Sequence, residues 1–164
     1  METHSDYSLM DIKYAFLAGL IEGDGCIAFV VYRRPKLRWR ATFGVYTCVV
    51  NTKREMLDFL KQNFGGSITG WQPKGENKSF TYSWRITGKK AKFVLLQIYP
   101  YLITKKLQAK LAIEMQNLLT TGKRDTRVEH EKKMQMVEKM HILNAKEKDK
   151  QGYKMRERKV KKGV

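Results

Sequence analysis

The sequence contains very little cysteine and histidine. Only Cys26 and Cys48 occur, without Cys-x-x-Cys spacing, and the three histidines, His4, His130 and His141, are scattered along the chain. A disulfide framework, a cysteine-rich zinc site and a histidine-ligated metal cluster are therefore excluded within one chain. The low cysteine content also favours a reducing compartment, so we expect an intracellular protein.

Long apolar runs and a secretory leader are missing as well. No run of about 18 apolar residues occurs, which excludes a transmembrane helix. The segment Met1 to Asp6 has neither the basic nor the apolar region of a signal peptide. We therefore expect no secretion and no membrane partner.

Acidic residues are scarce relative to basic ones. The chain of 164 residues has 33 Lys and Arg against 16 Asp and Glu, a net charge of +17. This excess indicates a polyanionic partner, with nucleic acid favoured over an anionic membrane. Because 42% of the residues are hydrophobic and 11% are aromatic, the chain is globular rather than disordered.

Hydrophobic periodicity predicts an α+β fold with the order α-β-β-α-β-β-α and a helical, basic C-terminal extension. A capping box at 52–55 should begin the second helix, and Gly65 and Gly66 should end it. The composition changes after residue 119, which separates a core of residues 1–119 from an extension of residues 120–164. We expect the last part of that extension, from Lys146 onward, to be loose. The predicted helices are 8–22, 52–64, 91–99, 104–119 and 128–143, and the predicted strands are 26–34, 37–46, 67–71 and 79–87.

The most informative segment is Leu17–Gly25, with the sequence LAGLIEGDG. Seven of its nine positions match the motif LAGLIDADG, with Glu in place of Asp and Gly in place of Ala. A predicted helix precedes it and a predicted strand follows it. Over residues 8–119 the sequence therefore resembles the LAGLIDADG family of homing endonucleases. The segment PYLITKK at 100–106 also resembles that family's stretch between its third and fourth helices.

The first predicted helix has small residues on one face. Leu9, Ile12 and Phe16 recur at helical spacing, and Ala15, Gly19 and Gly23 are four residues apart. Small residues at that spacing let two helix backbones approach closely. We expect the interface between two copies to contain Ala15, Ala18, Gly19 and Glu22, although helix-end hydrogen bonding is the other role open to Glu22.

Two such helices packed about a two-fold axis would bring their Asp24 side chains together. Paired carboxylates and free carbonyls at helix ends attract Mg²⁺, which activates water for phosphodiester hydrolysis. One copy of the motif supplies one carboxylate, so the arrangement requires a homodimer. Taken alone, an aspartate between two glycines is more often only a turn former.

The resemblance implies further active-site residues. The carbonyl of Gly23 is an expected metal ligand beside Asp24, and Lys105 is the expected basic residue near the scissile phosphate. Lys53 or Arg54 should supply a second basic group, and the sequence does not choose between them. The expected ion is Mg²⁺, with Mn²⁺ as a substitute.

One departure from the family concerns the end of the second predicted strand. Some members have a polar side chain there that positions water, whereas this chain has Cys-Val-Val at 48–50. Thr47 or Asn51 could substitute, or other groups organise the water.

The family binds DNA with a curved antiparallel sheet in the major groove, which admits a β-ribbon. Alternation with period two places polar side chains of both predicted hairpins on one face. The first hairpin contributes Tyr32, Arg34, Arg38, Arg40, Thr42 and Tyr46, and the second contributes Thr69, Trp71, Lys74, Ser83 and Arg85. Contacts to phosphate are expected from Arg33 and Lys36 near the first turn and from the tail, which includes Lys146 and Lys148.

By resemblance, the expected function is a homodimeric, site-specific endonuclease for double-stranded DNA. It would make a staggered, metal-dependent double-strand break in a long, near-palindromic target, with no small-molecule substrate. Two alternatives on the same fold stay open: an RNA-binding splicing maturase and a nuclease-dead DNA-binding regulator. The retained Asp24 argues against the regulator.

Overall fold

The computed structural model describes residues 9–33, 41–119 and 125–145. A 3-10 turn at Tyr99–Tyr101 separates the third and fourth helices. The elements are α1 (Leu9–Asp24), β1 (Gly25–Arg33), β2 (Ala41–Asn51), α2 (Arg54–Phe64), β3 (Ser67–Trp71), β4 (Thr81–Thr87), α3 (Gly88–Ile98), α4 (Lys106–Leu119) and α5 (Arg127–Asn144). The predicted fold class and element order are confirmed.

The four strands form one antiparallel sheet in the order β1-β2-β4-β3. Strand β1 pairs with β2 from Gly25 opposite Val49 to Arg33 opposite Ala41. Successive side chains alternate between the two faces of the sheet. One face carries the buried apolar side chains of Ile27, Phe29, Val45, Trp84 and Ile86 and packs against the helices. The other face is turned away from the helices.

The core lies between that apolar face and the helices. Leu17 and Ile21 of α1 are fully buried in it. Met136, Val137 and Met140 of α5 belong to the same cluster, so the last helix packs on the core rather than standing apart.

Helix α2 ends as predicted but begins differently. Gly65, with φ of 75°, follows its last residue, and the Trp84 indole N–H donates to the Gly65 carbonyl at 2.7 Å. The predicted capping box at 52–55 is not formed, since the N-cap is Lys53 and no side chain caps the helix. The N–H of Lys53 instead donates to Asn51 Oδ1 at 2.9 Å.

Helix α5 begins with a capping box that the sequence analysis did not identify. The Thr126 hydroxyl accepts from the Glu129 N–H, and the Glu129 carboxylate accepts from the Thr126 N–H. Asp125, which precedes the capping box, forms an ion pair at 2.5 Å with the buried ammonium group of Lys133 in α5.

Within the described residues, none of the helices has the length and apolar character needed to cross a membrane.

Candidate active site and DNA-facing sheet

Asp24 is the last residue of α1 and is exposed. The strand begins immediately afterwards at Gly25. A Cβ atom on Gly25 would lie 2.5 Å from Ile21 Cα and 2.9 Å from the Cys48 carbonyl oxygen. The final glycine of the motif is therefore required by the tight passage from helix to strand, which fixes where Asp24 projects.

Asn51, the last residue of β2, lies beside Asp24. Its Nδ2 donates to Asp24 Oδ2 at 3.4 Å, while its Oδ1 accepts from the Lys53 N–H. Thr47, the other residue considered for positioning water, is fully buried, and its hydroxyl donates to the Cys26 carbonyl at 3.0 Å. Of these two, only Asn51 is placed at Asp24.

Lys105 is bound to the C-terminal end of α1. Its ammonium group donates to the carbonyls of Ile21 at 2.6 Å, Glu22 at 3.0 Å and Gly25 at 2.9 Å. A cation at this end of a helix is favourable because the carbonyls there carry partial negative charge. The carbonyl of Gly23 is not among the three that Lys105 binds, and its role as a metal ligand stays a prediction.

Glu22 makes the reciprocal contact from α1 to the segment before α4. Its Oε1 accepts from the N–H groups of Ile103 at 2.8 Å, Thr104 at 3.0 Å and Lys105 at 3.0 Å, and its Oε2 accepts from the Thr104 hydroxyl. Burial opposes ionisation, but these hydrogen bonds favour the charged form and hold the pKa of the Glu22 carboxyl below its ordinary value. Hydrogen bonding at the helix end, the other role considered for Glu22, is the one this structure has, and a contact of Glu22 with a second copy stays a prediction.

The two candidates for a second basic group both lie at the start of α2. Arg54 Nε is 3.4 Å from Asp58 Oδ2, and its guanidinium carbon is 5.6 Å from the centre of the Tyr82 ring. Lys53 is exposed, and its backbone is held by Asn51, the residue that also contacts Asp24. The choice between Lys53 and Arg54 stays open.

The outer face of α1 is apolar and uncovered. Leu9, Ile12 and Phe16 are 69%, 57% and 45% exposed, and Ala15 is exposed beside them. A Cβ atom on Gly19 would meet no other atom within 4 Å, so nothing in the described chain requires glycine there.

Ala18 does not belong to that outer face. It is fully buried with Leu17 and Ile21 on the side of α1 that packs against the chain's own core. The prediction that Ala18 contacts a second copy is therefore wrong, whereas Ala15 and Gly19 lie on the face predicted for them.

The acidic side chains in the described part of the chain do not form a metal site by themselves. Among the residues that the structure describes, no three His, Cys, Asp or Glu side chains are grouped so that they could hold an ion. The Asp24 carboxylate and the Gly23 carbonyl are hard oxygen donors of the kind that Mg²⁺ and Ca²⁺ prefer. The chemistry of these two donors therefore fits a divalent ion.

The sheet face turned away from the helices carries polar and aromatic side chains. Tyr32, 61% exposed, is opposite Thr42 on this face, and the Arg85 guanidinium carbon lies 4.4 Å from the centre of the Tyr46 ring. Thr69 and Trp71 of β3 are exposed on the same face, and Lys74 is exposed in the loop that follows.

Ser83 shares this face but is only 7% exposed. It is a small side chain on an inner strand, between Val50 of β2 and Thr69 of β3. The prediction that Ser83 contacts DNA is corrected, because its neighbours cover it.

The remaining predicted DNA contacts lie outside the described residues. They are Arg34, Lys36, Arg38, Arg40, Lys146 and Lys148, and for Arg33 only the backbone is described.

Sequence analysis also missed a pairing on this face. Cys26 of β1 lies directly opposite Cys48 of β2, and Cys48 lies opposite Arg85 of β4. A hydrogen bond from the Cys48 thiol lowers the pKa of Cys26 to about 7 against the opposing effect of burial, and the charges of Lys105 and Arg85 act in the same direction. Period-two alternation puts both cysteines on the outer face, but the register that pairs them cannot be deduced from spacing alone.

Comparison with solved structures establishes the fold. I-CvuI, in complex with its target in the presence of 2 mM Ca, superposes with a TM-score of 0.67 at 22% sequence identity, covering 84% of this chain and 85% of that one. A further I-CvuI complex, in 2 mM Mg, contains uncleaved DNA. The archaeal intron-encoded homing endonuclease I-Vdi141I, complexed with DNA, gives 0.71 at 18% identity, covering 84% of this chain and 87% of that one.

A longer relative is matched only in part. I-SmaMI bound to cleaved DNA superposes with a TM-score of 0.57 at 22% identity, covering 82% of this chain but 43% of that one. The present chain therefore corresponds to most of an I-CvuI chain and to less than half of an I-SmaMI chain.

The sequence comparisons give one family. No curated protein sequence matches the chain. The family model described as LAGLIDADG endonuclease matches residues 17–117, which is more than half of the sequence. With one copy of the motif, this chain belongs to the LAGLIDADG homing endonucleases, a family of DNA endonucleases.

Proposed function

We propose that this chain is a site-specific DNA endonuclease that acts as a homodimer. It makes a metal-dependent, staggered double-strand break in a long, near-palindromic target. The observation that carries this proposal is the construction of α1, which has an uncovered apolar face and ends in the exposed carboxylate of Asp24.

The proposed dimer follows from the surface of α1. A helix that is apolar on all sides is normally buried, yet Leu9, Ile12 and Phe16 are exposed here. Phe59 of α2 packs edge-on against Phe16, with ring centres 5.6 Å apart, and extends the same patch. A second copy related by a two-fold axis would cover this patch with an identical one. The open space at Gly19 permits the close approach of the two helices.

The same symmetry would complete the proposed metal site. Two copies of α1 supply two Asp24 carboxylates and two Gly23 carbonyls, the oxygen ligands suited to Mg²⁺ or its substitute Mn²⁺. A bound divalent ion supplies Lewis-acid activation of water and of the phosphodiester. Asn51 orients the Asp24 carboxylate, and Lys105 neutralises the carbonyls at the end of the helix. The complexes of I-CvuI with Ca and Mg support a divalent ion without identifying it.

The proposed DNA surface is the outer face of the sheet. Arg85, Tyr32 and Thr42 project from it, and the net charge of +17 favours a polyanion. Solved relatives of the same fold are complexed with DNA. An intracellular location is part of the proposal and rests on the scarcity of cysteine.

A plasmid library containing random inserts tests this function. The full-length protein with Mg²⁺ should linearise a small fraction of the library, and sequencing of the cut ends should give one consensus with two related halves and a constant stagger. Asp24→Asn is the matched control. A random distribution of ends would contradict site specificity, and RNA that outcompetes the selected DNA would favour the maturase.

A further inference from the structure

The two cysteines of the chain face each other across neighbouring strands. Cys26 and Cys48 are directly opposed in the antiparallel register, with both side chains on the outer face of the sheet. Directly opposed residues of antiparallel strands have Cα atoms about 4.5 or 5.5 Å apart. Both values lie within the range of about 4.4–6.8 Å that a disulfide spans. The Cα spacing of directly opposed residues is therefore compatible with a disulfide once the two sulfurs approach each other.

One cysteine of this pair is accessible, and positively charged side chains lie near both. Cys26 is half-buried on the edge strand, whereas Cys48 is 8% exposed on the inner strand. Arg85 is the next residue across the sheet from Cys48. Lys105 binds the carbonyl of Gly25, the residue before Cys26. Partly exposed cysteines near positive charges are the ones that oxidants attack.

We propose that Cys26 and Cys48 are an oxidation site, at which a hydroperoxide forms an intrachain disulfide between β1 and β2 that slows DNA cleavage. The Cys26 sulfur attacks the peroxide, the O–O bond breaks, and a sulfenic acid and one water (or alcohol) result. The Cys48 sulfur then attacks the Cys26 sulfur, the S–O bond breaks, and a second water leaves with the Cys48 proton. Two thiols are oxidised by two electrons in total, and the peroxide is reduced by the same two.

The effect on cleavage follows from the position of Cys26 and rests on the proposed function. Cys26 is two residues after Asp24, and Lys105 binds the intervening Gly25 carbonyl. An S–S bond is about 2 Å long, so the two sulfurs must approach more closely than in the hydrogen-bonded thiols. A displacement of about 1 Å at an active site can reduce the rate by about 100-fold. We expect oxidation to slow cleavage by at least about tenfold.

The chemistry is tested on the full-length protein by mass spectrometry and thiol alkylation. Hydrogen peroxide, later removed with catalase, should lower the intact mass by two hydrogen atoms and remove both alkylatable thiols together. Dithiothreitol should restore both. On a non-reducing gel the oxidised chain should run as a monomer. Retention of both thiols, stable oxidation of one alone, or a disulfide-linked dimer would overturn the proposal.

Its effect on function is tested with the same samples on the selected DNA target. Wild type should lose activity after peroxide and regain it with dithiothreitol, each protein being compared with its own untreated sample. The Cys26→Ser and Cys48→Ser variants cannot form the disulfide, so they should lose much less cleavage activity after peroxide. An equal loss in these variants, or an unchanged rate in the oxidised wild type, would overturn the regulatory effect. If reduced wild type cleaves no DNA, the proposed function and its regulation both fail, while the mass measurement still decides whether the disulfide forms.

Discussion

Asp24 is held by contacts from three separate parts of the chain. Gly25 permits the sharp passage into β1, Asn51 donates to the carboxylate from the end of β2, and Lys105 binds the carbonyls that precede and follow it. Gly25 is adjacent to Asp24 in sequence, whereas Asn51 is 27 positions from Asp24 and Lys105 is 80 positions from Gly25.

Replacement of Asp24 by asparagine removes the charge that would hold the metal ion while keeping the size of the side chain. We expect Asp24→Asn to reduce cleavage at least about 100-fold, since it removes electrostatic stabilisation at the reacting phosphate. DNA affinity should change by less than about fivefold, about 1 kcal/mol. Cleavage assays and filter binding on one target measure both. Near-normal cleavage would disprove the assignment of Asp24.

Glu22 offers a test of the link between α1 and the segment before α4. Glu22→Ala removes the acceptor of three backbone N–H groups and one hydroxyl. Glu22 is only partly buried, so we expect a loss of about 1 kcal/mol and a fall of about 2–4 °C in Tm. Cleavage should fall as well, because Lys105 is positioned by the same segment. Glu22→Gln keeps one carbonyl acceptor, so it should lose less stability and less cleavage activity than Glu22→Ala. Identical effects of the two substitutions would mean that hydrogen bonding is not the cause.

Arg85 is the described residue best placed to read a base. Its neighbours Trp84 and Ile86 are buried, and its guanidinium lies over Tyr46. An arginine held in this way can bind guanine O6 and N7, which is worth about 1–3 kcal/mol of discrimination. Arg85→Ala should relax the preference at one base pair in each half-site. Cleavage profiling over all single-base variants measures this, with Lys74→Ala as the control expected to weaken all variants equally.

At the residue scale, the sequence predicts the end of the first helix better than the contacts made there. The motif places Asp24 at the end of a helix, and Asp24 is the last residue of α1. The sequence also assigned Ala18 and Glu22 to an interface, but Ala18 is buried in the chain's own core, and the Glu22 carboxylate accepts hydrogen bonds from the segment before α4. Hydrogen bonds between residues about 80 positions apart leave no local pattern that could reveal them.

At the scale of elements, α1 shows why a helix can be predicted while its orientation cannot. Leu9, Ile12 and Phe16 recur at helical spacing and correctly indicate a helix, yet they form its uncovered side. The side in the core contains Leu17 and Ile21, which are apolar too. Periodicity reveals the buried side of a helix when one stripe of side chains is apolar and the opposite stripe is polar. In α1 both sides carry large apolar residues, so the pattern does not show which side faces the core.

Gly19 lies on the uncovered apolar face of α1, which the proposed dimer would bury. A larger residue at this position should therefore stabilise the monomer but weaken the association of two chains. Gly19→Ala adds a Cβ into open space and should stabilise the isolated helix by up to about 1 kcal/mol. The same Cβ should weaken association, and Gly19→Leu should leave a monomer at micromolar concentration. Light scattering measures association, and thermal unfolding of dilute protein measures the monomer. Gln97→Leu, an exposed substitution on α3, is the control, and an unaltered dimer in Gly19→Leu would place the interface elsewhere.

The two Thr-x-x-Glu sequences show the limit of local signals for helix starts. Residues 52–55 and 126–129 have the same pattern, but only Thr126 and Glu129 form a capping box. At the first site, Asn51 accepts from the Lys53 N–H and also reaches Asp24. A residue outside the four-residue pattern thus decides how the turn is made, and the same residue contacts Asp24.

At the scale of the whole molecule, charge is distributed well beyond the described sheet. The tail of residues 146–164 has nine Lys and Arg against three acids. Deletion of this tail should flatten the dependence of log K on log salt and weaken binding to all sequences alike, because phosphate contacts are independent of sequence. Salt titrations with target and non-target DNA measure this. A variant in which the Lys and Arg residues of the tail are replaced by Gln is the control. A loss of affinity that depends on the base at a single position of the target would instead indicate that the tail reads bases.

The paired contacts between Glu22 and residues 103–105 can form only late in the synthesis of the chain. They close loops of 81 to 84 residues, so they cannot form until more than half of the chain has been made. Contacts of such long range also form slowly in folding, because the loop entropy must be overcome first. A ribosome-bound chain that stops before residue 103 has the complete nine-residue motif but lacks the lysine and the backbone donors that hold it. A chain shorter than 105 residues therefore lacks these contacts at the end of α1.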